Sequence, residues 1–309
     1  MRRFELHQLH QSEPDTAISI LKAHTSLSIS ELKAAVSKGA LWHEKGKSVQ
    51  RLRRVKKQIN TGETLHFYYD ENVLSQISPE AKLIDDCADY SVWYKPNGML
   101  SQGSKWSDHC TITRWAQTHL PGDRACFLVH RLDRATSGII LVAHTKSATK
   151  AFGKMFEHHD LTKCYQAIVY QPNALQPNTH SIGGHQSTDS APFTVNTEVD
   201  GKTAQSEFSL IECDEENGLA KYQICIKTGR KHQIRKHAAS LNMPIVGDRL
   251  YGLGASDNKQ DKETLKALPD MQLCAVKLGF TCPITGKEKH YQLPEEMTPD
   301  LTTISNQLR

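Results

Sequence analysis

Val129–Ala143 reads VHRLDRATSGIILVA and joins two unlike halves. In the first half one carboxylate, Asp133, stands between two guanidinium groups, Arg131 and Arg134. His130 comes just before them, and the hydroxyls of Thr136 and Ser137 just after. Gly138 then opens the run Ile139-Ile140-Leu141-Val142-Ala143, short enough and β-branched enough to be a buried strand. A charge-dense loop feeding straight into a core strand is a way for a scaffold to hold a reactive group still.

Outward from this stretch the chain alternates strands with a few helices. Downstream, Thr145 or Ser147 caps a helix running to about Phe156, with Ala148, Phe152, Met155 and Phe156 as its buried stripe. Leu161–Tyr170 alternates as a strand does, which puts Lys163, Tyr165, Ala167 and Val169 on one side. Gln171 to about Val199 is an irregular excursion, and Ala255–Lys266 a polar loop. Strands are expected over Thr203–Ile211, Leu219–Ile226, Leu273–Thr281 and Glu288–Leu293, and a helix from about His232 to Leu241. Upstream, Tyr90–Tyr94 is a strand ending in a tight turn at Lys95-Pro96-Asn97-Gly98, and Ile112–His119 a short helix. Strands outnumber helices and short turns join them. This favours an α+β domain around a mixed, mainly antiparallel sheet.

HRLDRATSG resembles the signature of the RNA pseudouridine synthases of the large-ribosomal-subunit type, whose HRLD-x-x-TSG carries the catalytic aspartate. Three further stretches follow that family's order: YKPNGML at Tyr94–Leu100, KCYQA at Lys163–Ala167, and TGRKHQIRKHAASLNMPIVGDRLYG at Thr228–Gly252. The resemblance covers roughly residues 83 to 295. It implies the pseudouridine synthase fold and an isomerase that breaks the ribose–nitrogen bond of a uridine, turns the base and rejoins it through carbon, with no cofactor and no metal. Asp133 is then the essential carboxylate, attacking sugar, attacking base or assisting ribose deprotonation. The family pairs this aspartate with the arginine found here as Arg235. Locally, Arg131 or Arg134 could serve instead, and in either case a guanidinium fork suits a carboxylate. Tyr165 of K-x-Y lies against the target base, as a stacking face or in proton transfer. His130 and Arg131 hold the flipped nucleotide. Arg230, Lys231 and His232, at a helix start, meet RNA backbone or position the substrate. Ile245 and Val246 line the apolar side of the uracil pocket or are core. Two departures mark a divergent subgroup: Cys274 stands where the family often has His, and Tyr170-Gln171 where a glycine usually closes the K-x-Y strand.

Residues 1–75 read as a separate small domain, 76–82 as a linker and 83–309 as the catalytic domain. Helices are expected over Thr16–His24, with Ile18 and Leu21 inward, and from Ser28 or Ser30 to Gly39, with Ile29, Leu32 and Val36 inward. Strands over Ala40–His43 and Thr64–Tyr69 flank a run, Lys45–Lys57, with seven basic and no acidic residues. Two helices and a small basic sheet resemble the RNA-binding domain named after a small-subunit ribosomal protein, although its arginine-leucine-aspartate opening is replaced by Asp15-Thr16-Ala17-Ile18.

The chain has 309 residues, a net charge of +4 and 38% hydrophobic residues, as expected of a globular protein able to bury a core. Its eight cysteines are scattered singly, as reduced core thiols are, and its sixteen histidines show no zinc-ligand spacing. The N-terminus lacks an apolar signal core, and no apolar run approaches the roughly 18 residues of a membrane span. A cytoplasmic monomer acting on ribosomal RNA, ahead of transfer RNA, is expected. The alternative is a non-catalytic RNA-binding or ribosome-assembly factor on the same fold. A glycoside hydrolase would want a second carboxylate, and none accompanies Asp133 in these motifs.

Overall fold

Two local signals set the start of the chain. Thr16 caps helix α1 (Ala17–His24) by accepting from the Ser19 N–H, and Ser28 opens α2 (Ile29–Ser37) with a capping box closed by Glu31. The computed structural model describes residues 1–171, 191–253 and 268–308. Most of the expected excursion, Gly183-Gly184 included, and the Ala255–Lys266 loop lie outside them. The chain divides into two units, Met1–Pro79 with Leu100–Asp123, and Glu80–Met99 with Arg124–Arg309.

In the first unit a four-stranded antiparallel sheet is built from β1 (Arg3–Leu9), β3 (Leu41–Lys45), β4 (Ser48–Arg51) and β6 (Thr64–Asp70), in the order β1-β6-β3-β4. The short β2 (Asp15–Thr16) and β5 (Gln58–Ile59) pair separately. Leu21, Leu32, Val36, Leu41, Leu65 and Phe67 form its core, while Ile29, expected inward, is 51% exposed at the start of its helix. Glu71–Leu74 forms the single-turn α3, capped by the Asp70 side chain, and α4 (Ile112–His119) falls where expected. Leu100–Asp123 belongs to this unit because its side chains and carbonyls are tied there. Arg53 Nη2 lies 2.5 Å from both Asp108 oxygens, and Trp42 donates to the Lys105 carbonyl.

The second unit is an α+β layer around a ten-stranded sheet. It comprises β7 (Lys82–Asp86), β8 (Tyr90–Lys95), β9 (Phe127–Leu128), β10 (Ser137–Ala143), β11 (Leu161–Tyr170), β12 (Phe193–Val195), β13 (Ser206–Asp214), β14 (Leu219–Ile226), β15 (Leu273–Thr281) and β16 (Glu288–Gln292). The main path runs β12-β13-β14-β11-β15-β10-β8-β7, and β10–β15 is its parallel pair. Helices α5 (Lys146–His158), α6 (Gln233–Ser240) and α7 (Leu301–Leu308) complete it. On α5 the buried Ala148, Phe152 and Met155 pack with Tyr90, Ile139, Leu141 and Phe280.

Three residues from three strands line up across the sheet centre. Gly138 of β10 is in register with Ala275 of β15, which is in register with Tyr165 of β11. Gly138 has φ +113°, and a Cβ there would collide with the Ala275 backbone, so only glycine permits this approach. The loop ending at Ser137 is thereby held two strand spacings from Tyr165, about 10 Å. A bulge in the β11–β15 ladder falls between Cys164 and Tyr165. The expectation of reduced thiols fails for one pair. Cys164 and Cys225 lie opposite each other on β11 and β14, with Cα atoms 4.1 Å apart, and form a disulfide. Singly scattered cysteines give no hint of such a cross-strand pairing.

Candidate active site

The Asp133 loop leads into β10 and is braced by the turn after β8. Lys95, fully buried, donates from Nζ to the carbonyls of Pro96 (3.0 Å), Met99 (2.9 Å) and Arg134 (3.5 Å). Gly98 N–H donates to the Arg134 carbonyl at 2.9 Å, and Asn97 Nδ2 to the Ala135 carbonyl at 2.5 Å. Burial pulls the Lys95 pKa down to about 7, against the nearby Asp133 charge that raises it. Thr136 closes the loop by donating its N–H to the Asp133 carbonyl.

The carboxylate meets its cation from far along the chain. Arg235 Nη1 donates to Asp133 Oδ2 at 3.3 Å, across 102 positions of sequence. Of the cations left open by spacing, Arg235 is therefore the partner. Arg134 donates to the Gly98 carbonyl instead, and Arg131 is exposed. Arg235 is divided between two acids. Its Nε and Nη2 donate to the two oxygens of Asp248, each at 2.7 Å, in a buried bidentate pair. Burial opposes both charges of that pair. Each hydrogen bond overcomes it, holding Arg235 above and Asp248 below their ordinary pKa values, with the Leu250 and Tyr251 N–H groups also donating to Asp248.

Tyr165 is in the electrostatic reach of Asp133 and packs against the core of Ile234, Ile245 and Leu273. Burial, then the Asp133 charge, push its phenol well above the ordinary range, so it keeps its proton at neutral pH. His232 occupies the cap of α6 in a left-handed conformation, φ +56°. Its Nε2 lies 3.6 Å from Asp133 Oδ2, its Nδ1 shares a 3.0 Å hydrogen bond with the Tyr251 hydroxyl, and burial lowers its pKa.

The fold thus brings Asp133, Arg235 and His232 together, with Tyr165 close enough to feel the Asp133 charge. Other expected residues sit elsewhere. His130 turns inward: Nε2 accepts the Leu141 N–H at 2.9 Å, and its ring stacks on Phe156 at 4.3 Å, so it braces β10. Burial, with Lys163 adding to it, pushes its pKa down to about 3. Ile245 is 1% exposed and Val246 fully buried, and Ile245 packs in the cluster of Ile234, Leu273 and Tyr165. Arg230 donates from Nε to the Thr203 carbonyl beside the start of α6. Asp248 was not singled out from sequence, because an aspartate in a VGD turn carries no sign that its carboxylate is buried. Among the described residues no three His, Cys, Asp or Glu side chains gather as metal ligands do, and no helix is long and apolar enough to cross a membrane.

Comparison with known proteins follows the same residues. The family model described as RNA pseudouridylate synthase matches residues 89–240, which include Asp133, Tyr165 and Arg235. The chain is 31% identical over 203 residues to the dual-specificity RNA pseudouridine synthase RluA of Salmonella typhimurium, covering 65% of this chain and 87% of that one. It is 26% identical over 291 residues to an uncharacterized RNA pseudouridine synthase of Aquifex aeolicus, covering 90% and 89%. Identity to the ribosomal large subunit pseudouridine synthase D of Zymomonas mobilis is 29% over 172 residues, covering 55% and 53%. In fold, the chain is similar to human RNA pseudouridylate synthase domain containing 1, with a TM-score of 0.53 and 19% identity over 74% of this chain and 95% of that one.

Proposed function

The chain belongs to the RNA pseudouridine synthase family, and on that premise we propose that it isomerises specific uridines of structured RNA through Asp133, with no cofactor. One observation carries the assignment: the family's aspartate and arginine, 102 positions apart, meet at 3.3 Å. In the reaction the C1′–N1 bond breaks, C1′–C5 forms, N1 gains a proton and C5 loses one. Each route open to Asp133, on sugar, on base or in ribose deprotonation, uses it as a carboxylate. Arg235 supplies the opposing charge. Asp133 stays 29% exposed, so a substrate can reach it.

Tyr165 offers a face to the extruded uracil and a hydroxyl that keeps its proton. The backbone contact falls to cations around the catalytic strand. Lys163 and Lys227, with Glu207 beside them, line a cavity of about 440 Å³, and burial lowers the Lys163 pKa. The two ammonium groups are candidates for contact with a phosphate. Arg131, Arg230 and His232 are the further substrate contacts. Ribosomal RNA is the target placed ahead of transfer RNA, since the relatives' names include a ribosomal large-subunit enzyme and dual-specificity enzymes.

A pseudouridine map of ribosomal and transfer RNA, made with and without the gene, tests this. Loss of one or a few positions on deletion is expected, and their return with the purified protein. An unchanged map together with no activity on total RNA would contradict it.

A further inference from the structure

A guanidinium reaching a carboxylate through one nitrogen can swing about its own side-chain bonds, so a second anchor is needed to aim it. We propose that Asp248 is a positioning residue for the isomerisation, setting the direction of both groups that face Asp133. This rests on the assignment of Asp133 as the reacting carboxylate.

The first arm is direct. Asp248 binds Nε and Nη2 of Arg235, each at 2.7 Å, and leaves Nη1 pointing at Asp133. The fork geometry fixes the guanidinium plane as well as its place, and the Tyr251 ring lies over it at 5.0 Å. The second arm runs through the backbone. Asp248 Oδ1 also accepts the N–H groups of Leu250 (2.9 Å) and Tyr251 (3.1 Å), which curls the chain and places the Tyr251 hydroxyl on His232 Nδ1. His232 then presents Nε2 to Asp133.

The turn that holds Asp248 has little freedom. Gly247 sits at φ +77°, and a Cβ there would lie 2.6 Å from the carbonyl oxygens of Pro269 and Asp270. A Cβ at Gly252 would collide with the Asp248 carbonyl. Asp248 itself has no exposed side chain, whereas Asp133 does. The inner acid is therefore out of substrate's reach, and any effect it has on turnover must pass through Arg235 or through Tyr251 and His232.

Steady-state kinetics of the full-length protein on an RNA that it modifies tests the proposal, using Asp248→Asn, Arg235→Gln, the double variant, and Asp133→Asn as control. Asp248→Asn is expected to lower kcat by about 10²-fold, the scale of a misplaced catalytic group, with KM little changed. In the Arg235→Gln background the same substitution should add no more than the small loss of the second arm, since most of its effect has already gone. A kcat close to wild type, or an equal drop in both backgrounds, would overturn the proposal. Should Asp248→Asn fail to fold, Tyr251→Phe carries the test, since it removes only the hydroxyl on His232. A kcat lowered severalfold at constant KM supports the proposal, and unchanged kinetics overturn it. The control separates the two levels. An active Asp133→Asn protein removes the premise, while an inactive one beside an indifferent Asp248→Asn removes this proposal alone.

Discussion

Two clusters of guanidinium and carboxylate groups, one around Asp108 in the first unit and one around Arg235 in the second, have opposite stoichiometry. In the first unit two arginines share one acid: Arg53 grips both oxygens of Asp108, and Arg51 Nε lies 3.3 Å from the same carboxylate. The surplus donors end on carbonyls, Arg53 on Ser37 and Arg51 on Gly39 and Ser104, and Arg51 also stacks over Trp42 at 4.3 Å. In the second unit one arginine serves two acids. Asp248 takes two of its nitrogens and is buried, while Asp133 takes one and stays partly open. With cations in excess, the cluster is a staple between chain segments. Around Arg235 the second carboxylate, Asp133, is held through one nitrogen of the arginine and stays reachable, as a reacting group must be.

The largest expected effect of breaking this contrast is at Arg235. Arg235→Gln leaves the Asp248 charge buried without its fork, which should destabilise the fold by about 3–5 kcal/mol and lower turnover by at least about 10²-fold, to a small residual rate. Chemical denaturation and a pseudouridine assay check both, and a stability within about 1 kcal/mol of wild type would refute the uneven division of this arginine. Next is Tyr165→Phe. A hydroxyl that moves a proton is worth about 10²-fold in kcat, so the variant should lose that much while still binding RNA. Full activity would leave Tyr165 only its stacking face.

A smaller effect is expected at His130. Its pKa is pushed from the ordinary 6.5 down to about 3, so the folded chain refuses a proton that the unfolded chain accepts between those values. Stability from this group is therefore complete above about pH 6.5 and falls as the pH drops toward 3. His130→Phe keeps the stacking on Phe156 but orphans the Leu141 N–H. It should cost about 1–3 kcal/mol at neutral pH and flatten the acid side of the melting profile. An unaltered profile would show that the ring does not hold β10. Smallest is Arg53→Ala in the staple. Asp108 keeps Arg51 as a partner after this change, so the loss should stay near about 1 kcal/mol by denaturant titration. A loss as large as that at Arg235 would erase the distinction between the clusters.

What was legible in the sequence divides along the same line. Local devices could be read directly: the Ser28–Glu31 capping box, the apolar run that became β10, the stripe Ala148, Phe152 and Met155, and the alternation of β11. Pairings made by folding could not be read from spacing. Arg235 was one of three candidate cations for Asp133 until resemblance favoured it, and nothing near Asp248 in sequence marks it as buried. Cys164 and Cys225 look like two isolated thiols until register sets them face to face. Helix α7, Leu301–Leu308, escaped because Thr302, Thr303 and Ile304 are β-branched, and packing of Leu301 and Ile304 with Ile168 and Leu219 outweighs that preference.

The outer, singly held acid is the claim on which the rest stands. Purified Asp133→Asn protein incubated with RNA from cells lacking the gene should still bind that RNA yet form no pseudouridine at the positions the wild-type protein restores. Restoration of those positions by the variant at the wild-type rate would contradict the account.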